Sequence, residues 1–158
     1  MEVAARPATA DDLPALAAMA SAAIEELAPH RGGEVWRRQQ ARPVPPDASL
    51  EADLRAAEVH VVVGTIDGTP VGYGVVRVEV LRDGSRLGVI SDLFTDEGAR
   101  GVSVGEHVME ALVEWAQAQG CFGIDSLALP GDRETKNFFE TFGLVARAIV
   151  VHRRLDGS

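Results

Sequence analysis

One cysteine in 158 residues, Cys121, excludes an internal disulfide. It has no partner at the spacing of metal ligands, so no metal site is expected and Cys121 reads as a buried apolar residue. Positive charge is scarce as well. Lys plus Arg number 15 against 24 Asp plus Glu, and the net charge of −9 repels phosphate backbones. That balance argues against a nucleic-acid or anionic-membrane surface and favours the approach of small cations. No apolar run reaches the length of a membrane span. Leu13 to Ile24 imitates a signal-peptide core, but Asp11 and Asp12 stand where such a segment needs positive charge, so a cytoplasmic protein is expected.

What is present suits one folded domain. The chain is 46% hydrophobic and 25% charged, which predicts one globular domain over 1–158. Its one strongly basic stretch, His30 to Arg42, gathers Arg31, Arg37, Arg38 and Arg42 around Trp36. Two readings stand: a solvated helix face, or a patch for an acidic group on a ligand.

Val3 to Ala8 reads as a strand, and Thr9 with Asp12 forms a capping-box signature before an amphipathic helix. That helix should bury Leu13, Leu16, Ala17, Ala20, Ile24 and Leu27 and stop near Pro29. Helical pieces follow to Ala57, broken at Pro43-Val44-Pro45-Pro46. His60 to Ile66, Val71 to Leu81 and Leu87 to Thr95 are Val- and Ile-rich strands, and the separators Asp67-Gly68 and Asp83-Gly84 make them antiparallel neighbours. A helix from Ser103 to Gln119 presents Val104, Val108, Ala111, Leu112 and Trp115 at helical spacing and ends at Gly120. A strand from Ile124 to Leu129, a short helix capped by Asp132 and closed by Gly143, and a last strand from Val145 to Arg154 complete the chain. The order predicts an α/β fold with a mixed sheet and helices on its faces.

Chemistry concentrates at Arg100-Gly101-Val102-Ser103-Val104-Gly105, between a strand end and a helix start. Small residues there permit a tight turn. The first amides of the helix lack intrahelical acceptors, and the macrodipole adds about half a positive charge, which suits a pyrophosphate. Glu106 and His107 after Gly105 exclude a P-loop, which needs Lys then Ser or Thr. Hairpin-linked strands before the turn exclude a dinucleotide fingerprint, which opens a parallel unit.

From Ile90 to Leu144 the chain resembles the GNAT acetyltransferase superfamily. The residues that carry the likeness are Leu93-Phe94-Thr95, Arg100 to Gly105, and Asp132 to Leu144 with Lys136, Phe138, Phe139 and Gly143. The resemblance implies a largely antiparallel meander, a splayed parallel strand pair and helices on both faces. It also implies that amides of Arg100, Gly101, Val102, Ser103, Val104 and Gly105 hold the coenzyme A pyrophosphate. Thr95 would pair with the pantetheine arm, and amides near Leu93 and Phe94 would face the acetyl carbonyl as oxyanion donors. Asp132, Lys136 and Phe139 complete the expected coenzyme contacts.

Three departures from the family pattern have consequences. Ser103 replaces a glycine and, with Glu106, writes a Ser-x-x-Glu capping box over the amides meant for pyrophosphate, so a ligand would have to displace Glu106. Asp132 replaces Asn and can only accept hydrogen bonds from pantetheine. Phe139 occupies the tyrosine position and has no proton for the departing thiolate. Asp92 and Glu79 are the carboxylates available as general base, and strand alternation gives Asp92 and Phe94 one face. Tyr73, the only tyrosine, is the candidate acid. The function expected is transfer of an acetyl group from acetyl-CoA to a primary amine of a small molecule or peptide by direct attack in a ternary complex. The alternative is an acyl-CoA-binding or regulatory module that has lost turnover. The sequence leaves open a homodimer through a strand edge or the N-terminal helices.

Overall fold

In the computed structural model, which describes residues 1–157, four strands form an antiparallel meander: β1 (Val3–Pro7), β2 (Val59–Ile66), β3 (Thr69–Val80) and β4 (Arg86–Thr95). A fifth strand, β5 (Gly123–Asp125), adds to β4 in parallel, giving the order β1-β2-β3-β4-β5. The predicted turns have local causes. Asp67 and Gly68 both take positive φ, 49° and 81°, the primed geometry that matches strand twist in a two-residue hairpin. Gly120 and Gly143, at φ 76° and 83°, follow the helices they were predicted to close.

Five helices flank the sheet: α1 (Leu13–Leu27), α2 (Gly33–Gln39), α3 (Asp47–Arg55), α4 (Val104–Ala118) and α5 (Arg133–Thr141). The break between α2 and α3 falls at the predicted proline loop. Ahead of α1 the carboxylate of Asp12 accepts from the Thr9 amide at 2.8 Å and from both terminal nitrogens of Arg6, at 2.8 and 2.9 Å. Two cores result. Leu16, Met19, Ala20 and Leu50 pack with Val61, Val63, Tyr73 and Val75 on one face. Val108, Met109, Leu112 and Phe139 pack with Val62, Val76 and Ile90 on the other.

The position of α4 depends on missing side chains. A Cβ on Gly64 would stand 2.6 Å from Val104 and 2.8 Å from Val108, and one on Gly74 would stand 2.8 Å from Val108 and from Leu112. These valines and Leu112 are sealed from solvent. Bare backbone on β2 and β3 therefore lets α4 settle onto the sheet with its N-terminus beside the end of β4.

Three expectations need correction. Residues 145–154 are not a strand: they join no hydrogen-bonded ladder among the described residues, and Ile149, Val150 and Val151 are exposed. Strand propensity alone does not make a strand, because the ladder needs a neighbour with free hydrogen-bonding groups. β5 is likewise shorter than the predicted 124–129, ending where it leaves β4. Cys121 is half-buried rather than buried.

Candidate functional site

β4 and β5 touch along only three residue pairs, Leu87 with Gly123, Gly88 with Ile124, and Val89 with Asp125. Beyond Val89 the strands separate. Leu93, Phe94 and Thr95 continue pairing with Gly74, Tyr73 and Gly72 of β3, while their other edge faces no strand among the described residues. A fork thus opens from Val89 toward Thr95, with α4 at its mouth. The side chains alternate as expected: Phe94 lies against the α1 core, Leu93 against the α4 core.

At the mouth, Glu97–Ala99 forms a 3-10 turn, Gly101 takes φ 89°, and α4 begins at Val104. The predicted capping box is absent. The side chain of Ser103 makes no cap hydrogen bond, and instead its carbonyl lies 2.6 Å from Nδ1 of His107. The backbone of Ser103, at φ −66° and ψ 27°, is turned away from the extended cap geometry that aims a hydroxyl back at the helix. Among the described residues, the amides of Gly101, Val102, Ser103, Gly105 and Glu106 donate to no protein acceptor. They point to a site for an anion and need no carboxylate displaced first.

Arg100 folds back over the strand end. Its Nε donates to the Thr95 carbonyl at 3.0 Å, Nη2 meets Glu26 of α1 at 2.7 Å, and the guanidinium lies 5.8 Å from the Phe94 ring centre. The Thr95 carbonyl is therefore already engaged. Glu26 above all, then Glu97 and Glu134, hold the Arg100 pKa above its ordinary value against a smaller opposing effect of burial.

Across the mouth stands α5. Asp132 caps it as predicted, accepting from the Thr135 amide at 3.3 Å and the Thr135 hydroxyl at 2.7 Å. Phe138 places its ring where a Cβ on Gly105 would touch it at 3.5 Å, so α5 closes directly on the first turn of α4. Lys136 lies on the exposed face, 3.7 Å from Glu140. Phe139 is 6% exposed and packs into the α4 core.

The catalytic candidates separate. Glu79 is exposed and pairs with Leu87, at the end of β4 opposite Thr95. Tyr73 and Asp92 meet: the Tyr73 hydroxyl, 1% exposed as a residue, donates to Asp92 Oδ2 at 2.7 Å. Asp92 also accepts from Arg42 through Nε at 2.8 Å and Nη2 at 3.0 Å, and from Ser91 at 2.7 Å. Arg42 continues to Asp53 at 2.6 Å and Ser49 at 3.1 Å, and Arg77 reaches Asp53 at 2.9 Å and Ser91 at 3.0 Å. Ser91 is the residue skipped where β3 and β4 shift register, since Val75 faces Asp92 and Val76 faces Ile90.

Two arginines and two aspartates thus form a neutral cluster that ties the loop after α2 to α3, β3 and β4. Burial pushes the Asp92 carboxyl up, but the hydrogen bonds and charge of Arg42, with Ser91 and Tyr73, outweigh it and hold the carboxyl below its usual range. Burial, then the Asp92 charge, pushes the Tyr73 hydroxyl well above its usual value. Asp92 is arranged to hold its neighbours, and Tyr73 holds its proton tightly. Arg42 belongs to the basic stretch singled out in the sequence, yet its side chain is 8% exposed and fits neither of the readings offered there. Its acidic partners lie 11 and 50 positions away, a separation that no local pattern reveals.

A cleft of about 360 Å³ elsewhere, lined by Ala8, Thr9, Leu13, Leu54 and Arg55, includes no residue of β4, β5 or α4. No helix of the described residues is long and apolar enough to cross a membrane.

Known proteins share this architecture. A tetramutant of the BH1408 protein from Bacillus halodurans superposes with a TM-score of 0.80 at 20% identity, covering 98% of this chain and 100% of that one. The structure of AAC(6')-Iy with the bisubstrate analogue CoA-S-monomethyl-acetylneamine gives 0.75 at 16% identity over 98% and 99%. In sequence, glucosamine 6-phosphate N-acetyltransferase 1 of Oryza sativa subsp. japonica is 30% identical over 135 residues, 78% of this chain and 80% of that protein. The family model described as Acetyltransferase (GNAT) family matches residues 19–144, a span that holds the fork, the turn before α4, and α5. On that match and that relative, the chain belongs to the GNAT acetyltransferase family and is an N-acetyltransferase.

Proposed function

We propose that the protein transfers the acetyl group of acetyl-CoA to a primary amine of a small molecule, both substrates being bound at the β4–β5 fork. The observation that carries this reading is the fork itself, paired for three residues and then open toward unpartnered amides at the start of α4. Those amides and the helix dipole supply positive potential for a pyrophosphate amid the surrounding carboxylates. The proposed seat comprises Gly101, Val102, Ser103, Gly105 and Glu106, through their amides. Arg100 and Val104 shape it, while Leu93, Phe94 and Thr95 line the strand side and Asp132, Lys136 and Phe139 the α5 side.

In the reaction, the amine nitrogen bonds to the thioester carbonyl carbon, the carbon–sulfur bond breaks, and the thiolate takes a proton. A strand-edge amide aimed at the carbonyl oxygen would stabilise the charge that develops there. Asp92 serves this chemistry as a positioning residue, fixing Arg42 and Tyr73 behind β4. Its lone pairs are shared among four donors, so water in the fork takes the proton of the amine. Glu79 stands too far along β4 for that task. The relatives named above include enzymes of an amino sugar phosphate and, by its bisubstrate analogue, of an aminoglycoside amine, which supports a small amine as acceptor. The acidic chain favours a cationic one.

A second reading, an acyl-CoA-binding module without turnover, draws on Phe139 in the core and on a Tyr73 hydroxyl sealed from the fork. Calorimetry with acetyl-CoA, followed by free-thiol release across a panel of amino sugars, aminoglycosides, polyamines and peptide N-termini, separates the two. Binding with amine-dependent thiol release is the expected result. Binding without release across the panel supports the second reading, and no binding removes both.

A further inference from the structure

Helix α2 is held on either side of the fork, yet it contributes to neither core. Just before it, a Cβ on Gly32 would stand 3.8 Å from Leu129 and from Pro130, in the connection from β5 to α5. Just after it, Arg42 is tied to Asp92 of β4 by two hydrogen bonds, at 2.8 and 3.0 Å. The α2 segment therefore crosses the fork from the β5 side to the β4 side. It does so on the face of the α1 core, where Tyr73 meets Asp92. The course of α1 agrees, since Glu26 near its C-terminus reaches Arg100 at the mouth of the fork.

Along α2 only Gly33 is buried and only Trp36 is half-buried, while Glu34, Val35, Arg37, Arg38 and Gln39 are exposed. Gly33 and Trp36 are three positions apart and share one side of the helix, the side turned toward the protein. Trp36 is thus the one large side chain that α2 turns inward over the fork. Its indole packs in neither core, and among the described residues it stacks on no other ring, lies under no arginine and donates its N–H to no protein acceptor. Packing therefore gives no account of the only aromatic side chain on the crossing. A half-buried indole offers a ligand a broad apolar face and a hydrogen-bond donor at once.

The charges around the indole select among amines. Arg31 and Arg37 have no carboxylate partner among the described residues, and Glu34 is shared by Arg38 and Arg154. Within an acidic chain, the neighbourhood of Trp36 thus carries an excess of positive charge. A second ammonium laid on the indole would be repelled by those guanidiniums, which disfavours linear polyamines. A saturated ring bearing hydroxyls fits instead. Its slightly positive C–H groups face the electron-rich side of the indole, and the guanidinium and indole N–H groups are donors for its hydroxyl oxygens.

We propose that Trp36 is the platform on which the acceptor lies and that the acceptor is a cyclic hydroxylated amine, an inference that rests on the fork binding acetyl-CoA and the amine together. Steady-state assays at saturating acetyl-CoA, with glucosamine, galactosamine and streptamine as amines, test it. Trp36→Leu is expected to raise KM for the best of the three roughly 30-fold while kcat and the KM for acetyl-CoA stay within about twofold of the parent, and Trp36→Phe should recover part of the loss. Towards putrescine, a linear diamine, variant and parent should be alike, which a general loosening of α2 would not allow. The chain has two tryptophans, and the other, Trp115, stacks on His60. In Trp115→Phe the emission reports Trp36 alone and should change as the same amine is added to the CoA-bound protein. An unaltered KM in Trp36→Leu, or a parent that acetylates putrescine in preference to all three rings, overturns the proposal and leaves the acetyl transfer standing. A parent that binds no acetyl-CoA removes the fork reading and the platform with it.

Discussion

Arg42 Nε stands 2.8 Å from Asp92 Oδ2 across 50 positions of sequence, with both side chains about nine-tenths buried. A buried ion pair of this kind is costly to break from one side, because the surviving charge keeps its desolvation and loses its partner. Arg42→Met leaves both Asp92 and Asp53 without their shared cation. It is expected to lower stability by about 3–5 kcal/mol. Urea unfolding at neutral pH measures this. Adding Asp92→Asn to Arg42→Met should recover part of the loss, since one orphaned charge is then removed.

The same cluster sets a pH dependence. The Asp92 carboxyl lies below its ordinary value of 3.8 in the folded chain, and Asp12 is lowered too, chiefly by its hydrogen bonds to Arg6 against a smaller effect of burial. Folded carboxyls that bind protons less readily than unfolded ones add stability above the unfolded pKa, and lose it as pH falls through the folded value. Stability is therefore expected to be flat near neutrality and to fall below about pH 4. Asp92→Asn should flatten that acid limb, as followed by unfolding free energy against pH.

Local signals made much of this fold legible. Asp67-Gly68 specified its hairpin, Asp132 its helix start, and Gly120 and Gly143 their helix ends, because each acts over a few residues. Ser103 misled for the same reason: a Ser-x-x-Glu spacing reports a cap only when the backbone before the helix is extended, and here it is not. The Arg42 cluster was illegible because its members come from four separated elements. Residues 145–154 read as a strand from composition, whereas pairing depends on which edge is within reach.

Gly64→Ala tests the seat of α4. The new methyl would meet Val104 at 2.6 Å and Val108 at 2.8 Å, both sealed in the core. Overpacking of this kind costs about 1–3 kcal/mol. On the proposed function, acetyl-CoA affinity should fall as well, because relief requires the first turn of α4 to lift from β2. Thermal unfolding and calorimetry report the two effects separately.

Phe139→Tyr places a hydroxyl in an apolar core at a position 6% exposed. Without a partner it should destabilise the free protein by about 1–3 kcal/mol. If acetyl-CoA lies in the fork as proposed, the thioester offers that hydroxyl a partner, and the ligand-induced rise in melting temperature should exceed that of the parent. Equal rises in both proteins would place the ring away from the thioester.

Val104 and Val108 press branched, rotationally stiff side chains onto main chain that carries none of its own at Gly64 and Gly74. At these two glycines no strand side chain lies between helix and main chain to absorb a displacement. A push on the first turn of α4 would thus pass into β2 and β3 undamped, and the helix and these two strands would move as one solid piece.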